Sequence, residues 1–173
     1  ILYSMMFQFN RKNPEKIYLN VYDLSPINSF VYPMGLGFYH SGLEVFGKEY
    51  TFGGGGGVFD MKPKDLDEIP LRESILIGET WKSFRDIDYM VFKLKDKFQG
   101  DKYNIITKNC NSFADALCRE ILGHGIPGYV NRMANWGKCF EGFIPEQYKV
   151  ENVEPNNIKK FKPFDCKGQK LNF

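Results

Sequence analysis

Apolar and polar positions alternate in short bursts along the first half of the chain, and glycine or proline separates one burst from the next. Ile17-Tyr18-Leu19-Asn20-Val21-Tyr22-Asp23 is rich in β-branched and aromatic residues and runs into a Ser25-Pro26 turn signal, which predicts a strand. A second extended pattern covers residues 35–45, and a third covers 48–52, joined to it by a tight turn at Gly47. Five consecutive glycines at 53–57 read as a mobile hairpin loop, because glycine loses more backbone freedom on ordering than any other residue. A short strand at 58–61 follows, then a break at Pro63, a charged connector and another strand at 74–77.

The period then changes. Ser83 followed by Asp86 resembles a capping box, and Phe84, Ile87, Val91, Leu94 and Phe98 repeat at helical spacing, so a helix is expected over 84–98 with Gly100 closing it. A second helix starts near Cys110, where Phe113, Ala114, Leu117, Ile121 and Leu122 make one apolar stripe and Gly123 supplies the stop. After Pro127-Gly128, the residues Val130, Met133, Ala134 and Cys139 suit a short helix. From about 141 the chain is polar and weakly periodic, and 150–173 reads as an extension that drapes over the domain. The expected division is an N-terminal extension at 1–16, one domain at 17–140 and a C-terminal extension at 141–173.

Composition narrows the choice of function. The chain has 173 residues, 43% of them hydrophobic, enough for one core. A net charge of +2 from 23 basic and 21 acidic residues gives no electrostatic footprint for a phosphate backbone, so no nucleic-acid partner is expected. No apolar run approaches the roughly 20 residues of a membrane helix, so no membrane span is expected. The chain starts at Ile1 without a basic n-region or a small-residue cleavage site, and a segment removed from a longer protein stays open. The expected location is the cytoplasm, with the nucleus as a second compartment. The four cysteines are not needed as staples in a chain of this size. They contain no Cys-x-x-Cys, and the two histidines are far apart, so no metal and no cofactor is expected.

The candidate chemistry lies at Cys110. In Lys108-Asn109-Cys110-Asn111-Ser112-Phe113 a polar stretch hands over to the apolar stripe, placing a thiol at a helix start. There the dipole favours the thiolate, and such cysteines titrate at roughly 3.5 to 7.5 instead of about 8.5. The bland alternative is a small buried hydrophobe, which fits Cys118 and Cys139 better, whereas Cys166 in the tail reads as merely exposed. Of the two possible bases, His40 lies on or beside a strand with Ser41 and Gly42 leaving space, whereas His124 sits past a helix end between two glycines. His40 is the better base. The glycine run lacks the Lys-Ser/Thr of a phosphate loop and leads into a strand, so nucleotide binding is not expected.

Several motifs in order, Leu19-Asn20-Val21-Tyr22-Asp23, the run from Gly35 through His40-Ser41-Gly42-Leu43-Glu44-Val45, Tyr50-Thr51-Phe52-Gly53-Gly54, Lys108-Asn109-Cys110-Asn111-Ser112-Phe113 and Ile126-Pro127-Gly128-Tyr129-Val130-Asn131-Arg132, resemble the permuted papain fold peptidases of double-stranded RNA viruses and eukaryotes, the PPPDE family. The arrangement is most similar to the second of the two desumoylating isopeptidase branches. The resemblance implies a mixed α/β (α+β) fold, a circularly permuted papain-like cysteine peptidase with a small antiparallel sheet packed against helices and the nucleophile at a helix N-terminus. It also implies a dyad of His40 and Cys110, needing no cofactor, that removes ubiquitin or a SUMO-like modifier from conjugates. Asn104, at the offset of a papain-type amide donor, and Tyr22 are candidates for stabilising the oxyanion, and Gly53 and Gly54 for bordering the substrate. Two alternatives stay open: a protein thioesterase with the same dyad, and a non-catalytic binding module that keeps the fold.

Overall fold

The computed structural model describes residues 13–26, 28–34, 37–66, 69–105 and 107–132. Strand β1 (Glu15–Asp23) leads through a one-turn helix α1 (Asn28–Val31) and a 3-10 turn (Tyr32–Met34) into β2 (Tyr39–Val45), β3 (Lys48–Gly53), β4 (Gly57–Met61) and β5 (Leu71–Thr80). Helix α2 (Phe84–Lys95), a 3-10 turn (Gly100–Lys102) and helix α3 (Cys110–Leu122) follow. The strands form one sheet in the order β4-β3-β2-β1-β5, and the four pairings between neighbouring strands are all antiparallel. The mixed α/β fold expected from the sequence is thus present.

The core follows from the two periods. Ile17, Leu19 and Val21 alternate along β1 and are fully buried, as are Leu43 on β2 and Tyr50 and Phe52 on β3. Ile87, Val91 and Leu94 of α2, and Phe113, Ala114, Leu117, Cys118 and Ile121 of α3, join them in one apolar cluster. Among the described residues no helix is long and apolar enough to cross a membrane.

The local signals for helix ends are realised. The Ser83 hydroxyl accepts from Asp86 N–H while the Asp86 carboxylate accepts from Ser83 N–H at 2.7 Å, a reciprocal capping box. At the far end of α3, Gly123 takes a left-handed φ of 82° and donates its N–H to Arg119. Phe46 and Gly47, with φ of 53° and 70°, make the tight turn between β2 and β3.

Four expectations change. β5 spans ten residues and not four, because among the described residues it is an edge strand paired with β1 alone, and its outer residues need no apolar character to hold that ladder. The second strand starts at Tyr39 and not at 35. Helix α2 stops at Lys95 rather than 98: the N–H groups of Lys97 and Phe98 both turn back to the Leu94 carbonyl at 3.0 and 2.9 Å, which folds Phe98 into the core. The glycine run is not one loop. Gly53 and Gly57 are paired strand residues, and only 54–56 form the turn. That turn is tethered: Gly55 N–H donates to Gly100 carbonyl at 3.1 Å, and a Cβ at Gly100 would lie 2.6 Å from Gly57 N. Glycine is needed there because backbone meets backbone and two positions have positive φ, Gly55 at 75° and Gly57 at 73°. The short helix expected across 130–139, Cys139, Cys166 and the two extensions fall wholly or largely outside the described residues.

Candidate functional site

The start of α3 is fixed by its own sequence. Asn109 is the N-cap: its carboxamide oxygen accepts from Ser112 N–H at 2.9 Å, and Ser112 Oγ accepts from Asn109 N–H at 3.4 Å. Asn109 Nδ2 also donates to Ile105 carbonyl at 2.7 Å, tying the preceding turn to the cap. Cys110 therefore occupies the first helical position, as its flanks predict.

His40 lies on β2. The β2–β3 register runs from Val45↔Lys48 to Leu43↔Tyr50 and stops there, so the two strands part just before His40 and Ser41. Backbone groups that a continued ladder would pair are used otherwise. The Ser41 N–H donates to the Cys110 sulfur, and the Ser41 carbonyl accepts from the Thr51 hydroxyl at 2.9 Å. The Cys110 sulfur thus meets the backbone of the residue next to His40. Asn111 fastens the junction: Nδ2 donates to the carbonyls of Tyr39 (3.1 Å) and Val130 (3.2 Å), while Oδ1 accepts from Ser41 Oγ at 2.7 Å and from the Cys110 thiol at 3.7 Å. Tyr39 and Ser41 flank His40, so this one amide holds the histidine strand against the cysteine helix.

The electrostatics overturn one expectation. Cys110 and His40 are each only 2% exposed, so the thiol is not at an accessible helix start. Burial pushes the Cys110 thiol up to about 11, although the N–H groups of Ser41, Asn111 and Cys110 itself and the Tyr103 phenol all pull it down. Desolvation outweighs the helix end, which acts only through partial charges. Burial likewise lowers His40 to about 4. At neutral pH, thiol and imidazole rest uncharged.

A family profile described as "PPPDE putative peptidase domain" matches residues 15–147. The chain belongs to the PPPDE peptidase family. It is 38% identical over 141 residues to a DeSI-like protein of Arabidopsis thaliana, covering 79% of this chain and 63% of that relative. It is 43% identical over 135 residues to the desumoylating isopeptidase 1 homolog of Caenorhabditis elegans, covering 73% and 39%. Identity to desumoylating isopeptidase 1 of Homo sapiens is 28% over 124 residues, covering 68% and 72%. The chain therefore spans less than two thirds of the first two relatives.

Other positions named from the PPPDE motifs behave differently. Tyr22, the register partner of His40, puts its ring 5.9 Å from the imidazole at an interplanar angle of 50°. Its phenol donates to Glu49, with both carboxylate oxygens at 2.9 Å, so its only proton is spent there and it buttresses His40 instead of offering a donor to an oxyanion. Asn104 is exposed, and its carboxamide oxygen accepts from Thr107 N–H at 2.9 Å within its own turn. The phenol facing the sulfur belongs to its neighbour Tyr103. Gly53 ends β3 and Gly54 opens the tethered turn. His124 is exposed, with Nδ1 3.1 Å from the Gly125 carbonyl.

Sequence reasoning missed Ser41, Glu49, Thr51, Tyr103 and Asn111 as parts of the site. Glu49 gave the one legible signal, a carboxylate within a strand, next to the aromatic positions Tyr50 and Phe52. It is fully buried and accepts from Asn20 Nδ2 (2.6 Å), Tyr22 and Lys64 N–H (3.0 Å); burial nonetheless raises its carboxyl above the ordinary value. Among the described residues, no group of three or more His, Cys, Asp or Glu could hold a metal ion, and Cys110 and Cys118 are free thiols.

Proposed function

We propose that this chain is a cysteine peptidase of the isopeptidase type, with Cys110 as nucleophile and His40 as general base, acting on the bond between a ubiquitin or SUMO-like modifier and its conjugate. The observation that supports the reading is the contact of the buried Cys110 sulfur with the N–H of Ser41, the residue next to His40, which is the one buried histidine of the described residues. Relatives named desumoylating isopeptidases support the choice of leaving group and modifier.

The reaction starts from the neutral pair. As the sulfur attacks the isopeptide carbonyl carbon, its proton passes to His40, so ionisation and bond formation coincide and no free thiolate has to persist in the buried site. The carbonyl oxygen becomes an oxyanion, which the Cys110 N–H at the free helix end is placed to meet. The imidazolium then protonates the departing lysine amine as the C–N bond breaks, leaving a thioester. Water attacks the thioester with His40 again taking a proton, and the carboxylate and the free thiol are released. A dyad of this type needs no cofactor.

Modifier probes bearing a C-terminal propargylamide test this directly. Ubiquitin and SUMO probes are incubated separately with wild type, Cys110→Ala and His40→Ala, and adducts are mapped by mass spectrometry. One probe is expected to add to Cys110 in wild type, not to Cys110→Ala, and far more slowly to His40→Ala. Absence of any Cys110 adduct with either modifier sinks the reading.

A further inference from the structure

We propose that Thr51 is the positioning residue for His40, holding the imidazole in the tautomer protonated on Nε2 so that Nδ1 is the nitrogen that receives the Cys110 proton. The argument is a count of protons. Thr51 Oγ1 has two partners, the Ser41 carbonyl at 2.9 Å and His40 Nε2 at 3.1 Å. A carbonyl oxygen only accepts, and a threonine hydroxyl has one proton, so that proton lies on the line to Ser41. Toward the imidazole the hydroxyl can then only accept, and Nε2 must carry the hydrogen. A neutral ring with its proton on Nε2 has its lone pair on Nδ1. Burial, which lowers His40 to about 4, keeps the ring neutral at pH 7.

Three features make Thr51 a good orienter. It is fully buried, so bulk water does not compete for the hydroxyl. Its side chain is β-branched and on a strand, which restricts χ1 and aims the oxygen. Its proton is taken by the backbone of the residue adjacent to the one it orients, so any shift of β2 moves acceptor and imidazole together. The ring is held on a second side by Tyr22, whose own hydroxyl is anchored on Glu49. Turning the imidazole over would replace Nε2 with a carbon opposite the Thr51 oxygen and forfeit the bond.

The catalytic half of the proposal rests on His40 acting as the base; the tautomer itself does not. The chain has only two histidines, and they form an internal contrast, because His124 Nδ1 faces the Gly125 carbonyl at 3.1 Å and must carry a hydrogen there. Long-range 1H–15N spectra at pH 7 on wild type, Thr51→Val and Thr51→Ser read the tautomers. Wild type and Thr51→Ser are expected to show His40 protonated on Nε2, and Thr51→Val, which keeps the shape but lacks the hydroxyl, a mixture of tautomers. On the modifier substrate chosen by the probes, kcat should fall by about 10- to 100-fold in Thr51→Val with KM unchanged and recover in Thr51→Ser, the usual scale for a group orienting a histidine from behind. A purely structural role would lower stability without moving tautomer or kcat. The proposal is overturned if wild-type His40 is protonated on Nδ1, a result that needs no variant to fold, or if Thr51→Val keeps either the single tautomer or full kcat. If the tautomers behave as expected but no form cleaves any modifier substrate, the positioning stands and the isopeptidase reading falls.

Discussion

Cys110 and Cys118 lie two turns apart on α3, both buried, and burial pushes both thiols up to about 11. By acidity they are alike. The difference lies in what surrounds each sulfur. Four donors face Cys110: the N–H groups of Ser41, Asn111 and Cys110 itself and the Tyr103 phenol. Cys118 sits in the apolar cluster, and the nearby Asp115 raises it further. A high thiol pKa therefore does not separate the two cysteines in this fold. What separates them is a helix start whose backbone donors face the sulfur, together with the backbone of Ser41, the residue next to His40.

The sharpest way to break this contrast is to remove each sulfur. Cys110→Ala is expected to abolish turnover, on the order of the 10⁶-fold loss seen when a protease nucleophile is deleted, without unfolding the protein. Cys118→Ala should keep kcat and lose about 1 kcal/mol in urea denaturation, as for other small core truncations. Equal loss of activity in the two variants would end the distinction.

Next in size is the clamp. Asn111→Leu removes the amide that joins Tyr39, Ser41 and Val130 and strands their buried polar groups, so unfolding free energy should drop by about 3 kcal/mol. Thermal and urea melts measure it. A loss below about 0.5 kcal/mol, the scale of an ordinary surface change, would show that the junction does not depend on this residue.

Acid acts on the same end of the molecule. His40 is lowered to about 4 by burial, below its unfolded value of about 6.5, so between these values the unfolded chain binds more protons. Its contribution is therefore whole above pH 6.5 and is lost as pH falls toward 4, amounting to about 3 kcal/mol. His40→Gln should flatten that part of the stability curve. The acid limb of kcat/KM in wild type is expected near pH 4; a limb near 6.5 would mean that the working imidazole is solvated.

The smallest effect is expected at the other end of the helix. Gly123→Ala forces a Cβ into a left-handed φ of 82° and should cost about 1 kcal/mol, with kcat unchanged. A change in kcat there would mean that the two ends of α3 are coupled.

The sequence was most informative where structure is made locally. Ser83 with Asp86, Asn109 with Ser112, Gly47 and Gly123 mark turns and caps whose partners lie within a few residues, and alternation along β1 depends only on which face is buried. Hence strand β1, the α3 start and the placement of a cysteine on its first turn were readable. β5 was legible only in its apolar middle, because edge pairing makes no demand on its ends. At the site the partners were not legible: Ser41 reaches Asn111 across 70 residues and Tyr22 reaches Glu49 across 27, and no local spacing encodes such pairs.

The sequence by itself determined that a helix begins at Cys110, that His40 lies on a strand, and that the chain carries the PPPDE motifs in order, since each follows from local pattern or from the order of residues. Only the tertiary structure decided that the thiol is neutral, that the glycine run is a tethered hairpin, and that Thr51, Asn111 and Tyr103 belong to the site. Desolvation is the reason: it depends on everything packed around a group, and here it outweighs the helix end that the sequence places beside the sulfur.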